Sequence, residues 1–431
     1  YKTIIFWRKT LAKYLVQKSN PLSGEVEISG AKNAVLPIMA AALLSEEECT
    51  LFDVPALRDV DVLTQLLTHI GAVVKKADTN TLNIYTPNIN TYEAPFELVK
   101  KMRASFLVAG PLLARTGHAR VYMPGGCTIG ARPVELHLKG FQAMGAEIIN
   151  NEIESFVEMS CDRLQGASIY LDFPSVGATE NIMMAAVLAE GTTIIENAAE
   201  EPEIVDLANF LNKMGARVKG AGTETIKIEG VEKLGGCKHG IIPDRIETGT
   251  FMVAAAITRG EILIKNAVPD HVKAITAKLI ECGVVVEKTD EGLLVKGNVN
   301  PLVSTNIKTM PYPGFPTDIQ SPFMALLTTV EGSSVVIENI FENRFMHVAE
   351  LNRMGANIKI DGRSAIIYGG RPLQGAQVIS TDLRAGAAMV LAGLVAEGTT
   401  EIAEIYHIER GYENFVEKFR KLGATIIRID D

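Results

Sequence analysis

Disulfides and zinc are the first features the sequence argues against. The cysteines are Cys49, Cys127, Cys161, Cys237 and Cys282, an odd number with no CxxC pair. Neither a disulfide framework nor a zinc ribbon fits, so reduced thiols and no metal site are expected. Long apolar runs are also missing. Stretches such as Ile38–Leu44 and Ala387–Ala396 are too short to span a bilayer. Basic excess is absent too: the net charge is −9, which argues against general nucleic-acid binding. An anionic ligand would therefore need a local concentration of arginine and lysine. Tryptophan occurs once, as Trp7, in a basic amphipathic stretch from Lys2 to Val16. That stretch has the makings of an interfacial helix, but without a signal-peptide cleavage pattern or a long apolar core it is read as an extension over residues 1–12.

What is present is an ordinary globular composition repeated along the chain. Over 431 residues, 47% are apolar and 22% charged, which suits two or three well-cored domains. A glycine followed by a small or β-branched residue and a β-rich run recurs at Gly71, Gly145, Gly215, Gly283, Gly355 and Gly423. The spacing, about 70 residues, exceeds that of solenoid repeats and predicts six small α/β units. Before each glycine runs an amphipathic helix, such as Val62–Ile70, which the glycine caps. Further upstream lies an almost wholly apolar segment, such as Asn33–Leu44 or Leu383–Ala396, predicted to be a buried helix. Each copy thus reads strand, buried helix, strand, amphipathic helix, strand.

The starts of the buried helices carry polar residues: Lys32-Asn33, Arg103 with Ser105, Thr179 to Asn181, Glu247-Thr248, Asp318 with Gln320, and Asp382 with Arg384. Plain capping accounts for Thr179, Asp318 and Asp382. It does not account for Lys32, Arg103 and Arg384, whose charge opposes the helix dipole and points to phosphate or carboxylate ligands. Arg58, Arg132 and Arg410 stand equally far before their glycines, so the fold could place them equivalently. Arg58 alone reads as a surface arginine. Cys127 sits in Pro124-Gly125-Gly126-Cys127-Thr128-Ile129-Gly130-Ala131-Arg132, a glycine-rich loop running into a helix opened by Pro133. Arg132 and the helix start both favour a thiolate and attract an anion. His137 on that helix reads either as an orienting group for the loop or as a surface histidine. The other cysteines read as packing residues.

These motifs resemble the enolpyruvyl transferase family. The resemblance rests on Ser29-Gly30-Ala31-Lys32-Asn33-Ala34, Met102-Arg103-Ala104-Ser105 and Gly-Gly-Cys-Thr-Ile-Gly-Ala-Arg-Pro at 125–133. Further matches are Ser175-Val176-Gly177-Ala178-Thr179, Pro243-Asp244-Arg245-Ile246-Glu247-Thr248-Gly249, Phe315-Pro316-Thr317-Asp318, Glu342-Asn343-Arg344-Phe345-Met346-His347 and Thr381-Asp382-Leu383-Arg384. It covers the chain from about Leu15 onward. It implies a two-lobed inside-out α/β barrel of βαβαββ-like repeats, three per lobe. One lobe would comprise residues 1–31 and 243–431 and the other 32–242, with substrates in the cleft between them.

The implied activity is transfer of the enolpyruvyl group of phosphoenolpyruvate to the 3′-hydroxyl of UDP-N-acetylglucosamine, with release of phosphate. This is the first committed step of peptidoglycan synthesis, expected in the cytoplasm and without a cofactor. The resemblance assigns Cys127 as the acid that protonates the methylene carbon, as a covalent attachment point and as the residue labelled by fosfomycin. Asp318 is assigned as the base, with Asp382, Lys32 and Arg410 assisting. Phosphoenolpyruvate would meet Lys32, Asn33, Cys127, Arg132, Arg384 and Arg410. The nucleotide sugar would meet Asn33, Arg103, Arg132, Pro133, Val134, Glu135, Leu136, Ser175, Val176, Gly177, Asp318 and Ile340. Phe173-Pro174 stand where some members carry a lysine, so no lysine contact to the nucleotide is expected. The sister transferase acting on shikimate 3-phosphate is the alternative enzyme, which would lack the thiol loop. A non-catalytic nucleotide-sugar scaffold and a thiol redox sensor are the alternatives of other classes, the sensor disfavoured because no resolving cysteine is evident.

Overall fold

The computed structural model of the chain describes residues 12–123, 129–130, 134–151 and 153–430. The described residues form six four-stranded sheets that share one internal plan. In one of them Ser168–Tyr170 lies parallel to Thr192–Glu196, which pairs antiparallel with Thr225–Glu229, and that strand pairs antiparallel with Arg217–Lys219. The parallel pair needs a crossover, and the buried helix Val176–Ala186 supplies it. The amphipathic helix Pro202–Lys213 then leads to the closing hairpin.

Helices sit inside and sheets outside. Ala34 to Ala41 are all buried in Lys32–Ala41, as are Ile246 to Ile257 in Arg245–Ile257. Their sheets alternate exposed and buried positions, as in Thr192–Glu196, the pattern of a strand with one solvated face. Each buried Leu, Ile or Met contributes about 1.5–3 kcal/mol, so the apolar helices are the main source of stability. The amphipathic helices end on glycines with φ of 129° (Gly71), 92° (Gly145), 105° (Gly215), 92° (Gly283), 93° (Gly355) and 98° (Gly423). A side chain is strained at such angles, which is why the six-fold glycine signal survives in the sequence.

The described chain divides into two compact units. One holds the residues up to Ile28 with Ile246–Met310 and from Phe315 onward; the other holds Ser29–Arg245 with Pro311–Gly314. Each contains three of the sheets. The linear repeat plan is broken where the chain passes from one unit to the other. Ser23–Glu27 precedes the helix Lys32–Ala41 in sequence yet pairs with Glu261–Lys265. Lys238–Gly240 precedes Arg245–Ile257 yet pairs with Cys49–Phe52. Lys13–Gln17 completes the last sheet between Thr399–Ala403 and Thr425–Ile429. Among the described residues no helix is long and apolar enough to cross a membrane.

Candidate active site

In the unit containing both described chain ends, three elements converge on Asp318. This residue is the second of helix Thr317–Thr328, and Arg384 is the second of Leu383–Gly393. Arg344 comes from the segment before helix His347–Arg353. Arg344 Nη2 donates to Asp318 Oδ1 at 2.7 Å, while Arg384 Nη2 and Nε donate to Oδ2 at 3.2 and 3.3 Å. The guanidinium side chains are 5% and 2% exposed, against 25% for the carboxylate. Buried cations are tolerated only with such partners. Arg384 also lies 5.1 Å from the centre of the Tyr412 ring, and the Tyr412 hydroxyl shares a 2.8 Å hydrogen bond with Thr250 Oγ1.

Asp382 caps its helix, accepting from the N–H groups of Arg384 and Ala385 at 2.8 and 3.1 Å. His347 is buried with Nε2 3.4 Å from Met324 Sδ. Burial pushes its pKa down to about 4, with Arg344 acting the same way and Asp382 opposing. His407 is lowered by burial and by Arg410, with Asp382 again opposing. Arg410 ends the short helix Tyr406–Glu409 and is half-buried. Cationic and anionic groups thus both line this cluster, and burial disfavours the charged form of its two histidines.

The other unit brings Lys32 to the first position of helix Lys32–Ala41. Its Nζ lies 2.8 Å from Asp59 Oδ2, with Asp59 2% exposed. The Lys32 N–H donates to Asp244 Oδ2 at 3.2 Å, so a carboxylate from far along the chain engages this helix start. Asn33 follows, half-buried. Arg103 opens the 3-10 turn Arg103–Val108, also half-buried. Nearby, Asn181 Nδ2 donates to Phe106 O at 3.0 Å and to His137 Nδ1 at 3.1 Å, while its Oδ1 accepts from Gly110 N–H at 2.7 Å. Burial lowers the His137 pKa to about 3, and Arg103 adds to the effect. A Cβ on Gly177 would stand 3.2 Å from His137 Cε1, so the histidine ring rests against the bare backbone of that residue.

Several expectations need correction. His137 is buried and does not belong to the helix surface. Ser175, and not Thr179, caps the third buried helix: its hydroxyl accepts from Ala178 N–H at 3.3 Å. Thr179 lies inside that helix and accepts from Ala199 N–H at 3.1 Å. Ser175, Val176 and Gly177 therefore form a helix N-terminus. Asp318 is not a cap, since its oxygens are engaged by arginines. Arg58 and Arg410 occupy unlike local structure, one the exposed start of helix Arg58–Ile70, the other the end of a short helix. Lys32 and Arg384, read as cations awaiting an anionic ligand, already have carboxylate partners.

Cys49 and Cys237 are neighbours across the parallel pair of Cys49–Phe52 and Lys238–Gly240, with Thr50 N–H donating to Cys237 O at 2.9 Å. The Cys237 thiol donates to the Cys49 sulfur, which with burial raises the Cys237 pKa. Cys127, Arg132 and Pro133 lie outside the described residues. Of that segment Val134 is buried, Leu136 half-buried and Glu135 exposed, while Ile340 is half-buried in a turn after strand Gly332–Ile337. Asp59, Asp244 and Glu338 escaped the sequence reading. Asp244 belongs to the Pro243–Gly249 motif; single aspartates or glutamates such as the other two carry no spacing signal.

A family model described as EPSP synthase (3-phosphoshikimate 1-carboxyvinyltransferase) matches residues 16–419, and the chain belongs to this family of carboxyvinyl transferases. Within it, the chain is 62% identical over 416 residues to UDP-N-acetylglucosamine 1-carboxyvinyltransferase 1 of Caldanaerobacter subterraneus subsp. tengcongensis, covering 96% of this chain and 99% of that one. It is 58% identical over 416 residues to UDP-N-acetylglucosamine 1-carboxyvinyltransferase of Finegoldia magna, covering 96% and 98%. The enolpyruvyl transferase NikO from Streptomyces tendae superimposes with a TM-score of 0.86 at 25% identity, covering 97% of this chain and 99% of that one. EPSP synthase from Acinetobacter baumannii shares the fold, with a TM-score of 0.76 at 18% identity over 97% and 100% of the two chains.

Proposed function

We propose that the chain is a UDP-N-acetylglucosamine 1-carboxyvinyltransferase, moving the enolpyruvyl group of phosphoenolpyruvate to the sugar 3′-hydroxyl with release of phosphate. The observation that carries this reading is the 62% identity, nearly end to end, with a relative of that name. Asp318 takes the hydroxyl proton as the oxygen attacks the central vinyl carbon, and Cys127 delivers a proton to the methylene carbon. The tetrahedral adduct then returns a proton from its new methyl group to the Cys127 thiolate as the bond between the central carbon and the phosphate oxygen breaks, restoring the vinyl group and releasing phosphate.

Arg384, with Arg344 beside it, meets the charge that gathers near Asp318. Lys32, Asn33, Arg132 and Arg410 hold the phosphate and carboxylate of phosphoenolpyruvate, where planar guanidinium forks suit both anions. Asp382 fixes Arg384 by capping its helix. Arg103, the 132–136 segment, Ser175 to Gly177 and the Ile340 backbone hold the nucleotide sugar. The reading needs no cofactor and places the enzyme in the cytoplasm at the first committed step of peptidoglycan synthesis. Phosphate release from phosphoenolpyruvate, with UDP-N-acetylglucosamine or shikimate 3-phosphate as acceptor, tests it. Turnover with the nucleotide sugar alone is expected, and turnover only with shikimate 3-phosphate would reassign the enzyme.

A further inference from the structure

Glu338 is 1% exposed, and its carboxylate binds the Ile340–Phe341 turn on one oxygen and Thr317 on the other. Its Oε1 accepts from the N–H groups of Ile340 and Phe341 at 2.8 and 3.1 Å and from Thr309 Oγ1 at 2.9 Å. Its Oε2 accepts from Thr317 Oγ1 at 2.9 Å. Because the Thr317 hydroxyl gives its proton to Glu338, its lone pairs face outward, and one accepts from Arg344 Nη1 at 2.9 Å. Arg344 Nη2 completes the chain on Asp318 Oδ1 at 2.7 Å. Four donors thus engage this carboxylate, three on Oε1 and one on Oε2. Asn339 secures the same turn, its N–H donating to Thr309 Oγ1 at 2.9 Å and its Nδ2 to Thr309 O at 3.1 Å.

We propose that Glu338 is a positioning residue that sets two parts of the acceptor-substrate site at once: the Ile340–Phe341 backbone and, through Thr317 and Arg344, the carboxylate of Asp318. The proposal rests on the function proposed above, which puts the nucleotide sugar on Ile340 and the base at Asp318. The two ends of the relay can be cut separately. Glu338→Gln replaces one acceptor oxygen with a donor, so the turn, the Thr317 hydroxyl or both lose their partner. Thr317→Val leaves the turn's donors on Oε1 in place and removes the hydroxyl that links Oε2 to Arg344.

Each unmade buried hydrogen bond costs about 1–3 kcal/mol, hence roughly five- to 150-fold in a rate or binding constant. With the full-length chain, Glu338→Gln is expected to raise KM for UDP-N-acetylglucosamine and to lower kcat, each roughly tenfold. Thr317→Val is expected to lower kcat by a similar factor while KM stays within about twofold. Unchanged kinetics for Glu338→Gln would overturn the proposal, as would equal losses in both variants that simply follow a lowered Tm. Amide hydrogen exchange at Ile340 and Phe341 separates this idea from the function itself. If the wild-type chain turns over no nucleotide sugar, the functional reading falls. Faster exchange at those two amides in Glu338→Gln then still supports the link to the turn, and unchanged exchange overturns it.

Discussion

The Asn181 amide donates to His137 Nδ1 at 3.1 Å, which requires that nitrogen to be unprotonated. The histidine is neutral for a structural reason: its ring is buried, and its pKa falls from 6.5 to about 3. A depressed pKa on a basic group means that the unfolded chain binds the extra proton. Stability is therefore full above the unfolded value and is lost as pH falls from about 6.5 toward 3, at about 1.4 kcal/mol per pH unit. Urea unfolding at several pH values should show this slope in the wild type and a shallower one in His137→Asn, whose Oδ1 can still accept from Asn181. Equal slopes would show that His137 is not the group responsible. His347, lowered to about 4, accounts for part of the slope that remains.

Asp318 has a structural duty as well as a chemical one. Asp318→Asn keeps the shape but removes the charge that two buried guanidiniums rely on. Turnover should drop by roughly 10²–10⁴, while UDP-N-acetylglucosamine affinity by calorimetry changes little. A large affinity loss would make Asp318 a binding residue. Tm should also fall, because breaking a buried ion pair from one side costs about 3–5 kcal/mol.

Lys32 and Asp59 allow a cleaner measurement. Lys32→Met removes the cation 2.8 Å from a carboxylate that is 2% exposed, and it should destabilise the protein by up to about 3–5 kcal/mol. Adding Asp59→Asn removes the opposing charge and should restore part of that loss in denaturant unfolding. Additive losses in the double variant would show that the pair does not interact energetically.

Thiol chemistry should be confined to one residue. Cys49 and Cys282 are buried, and the Cys237 proton is held against Cys49. Fosfomycin, followed by peptide mass spectrometry, is expected to modify Cys127 alone, and both substrates together should protect it from alkylation. Label on Cys49 or Cys161 would point to a different thiol. Cys127→Ser should turn over far more slowly than the wild type.

How much of this could be read from the sequence depends on how local the cause is. Gly71 and its five counterparts were visible because a positive φ filters the residue directly. The buried helices were visible because Ile246 to Ile257 carry their environment on every face. Helix Val176–Ala186 starts before the polar residues Thr179 to Asn181 suggest, since Val-Gly-Ala-Thr has little helical periodicity and Gly177 disfavours a helix. The tertiary context provided by His137 overrides that preference. Partners such as Asp59 for Lys32 and Asp244 for the same helix lie on other elements, and no spacing rule connects them. The trade of Ser23–Glu27 for Lys238–Gly240 leaves no mark in the periodicity, because either strand would satisfy the pattern of the repeat that follows it; only the family resemblance implies lobes of 1–31 with 243–431 and of 32–242.

That trade has a consequence for how the chain could be cut. Ala31 N–H donates to Ile242 O at 2.7 Å, and Asp244 N–H donates to Ser29 O at 2.9 Å. The segment Ser29–Arg245 therefore begins and ends at the same place, with its first sheet already closed by its last strand. It has the form of a cassette: a gene fragment that could be excised, rejoined end to end by a short peptide, or reopened at a surface turn without losing a strand from its sheets.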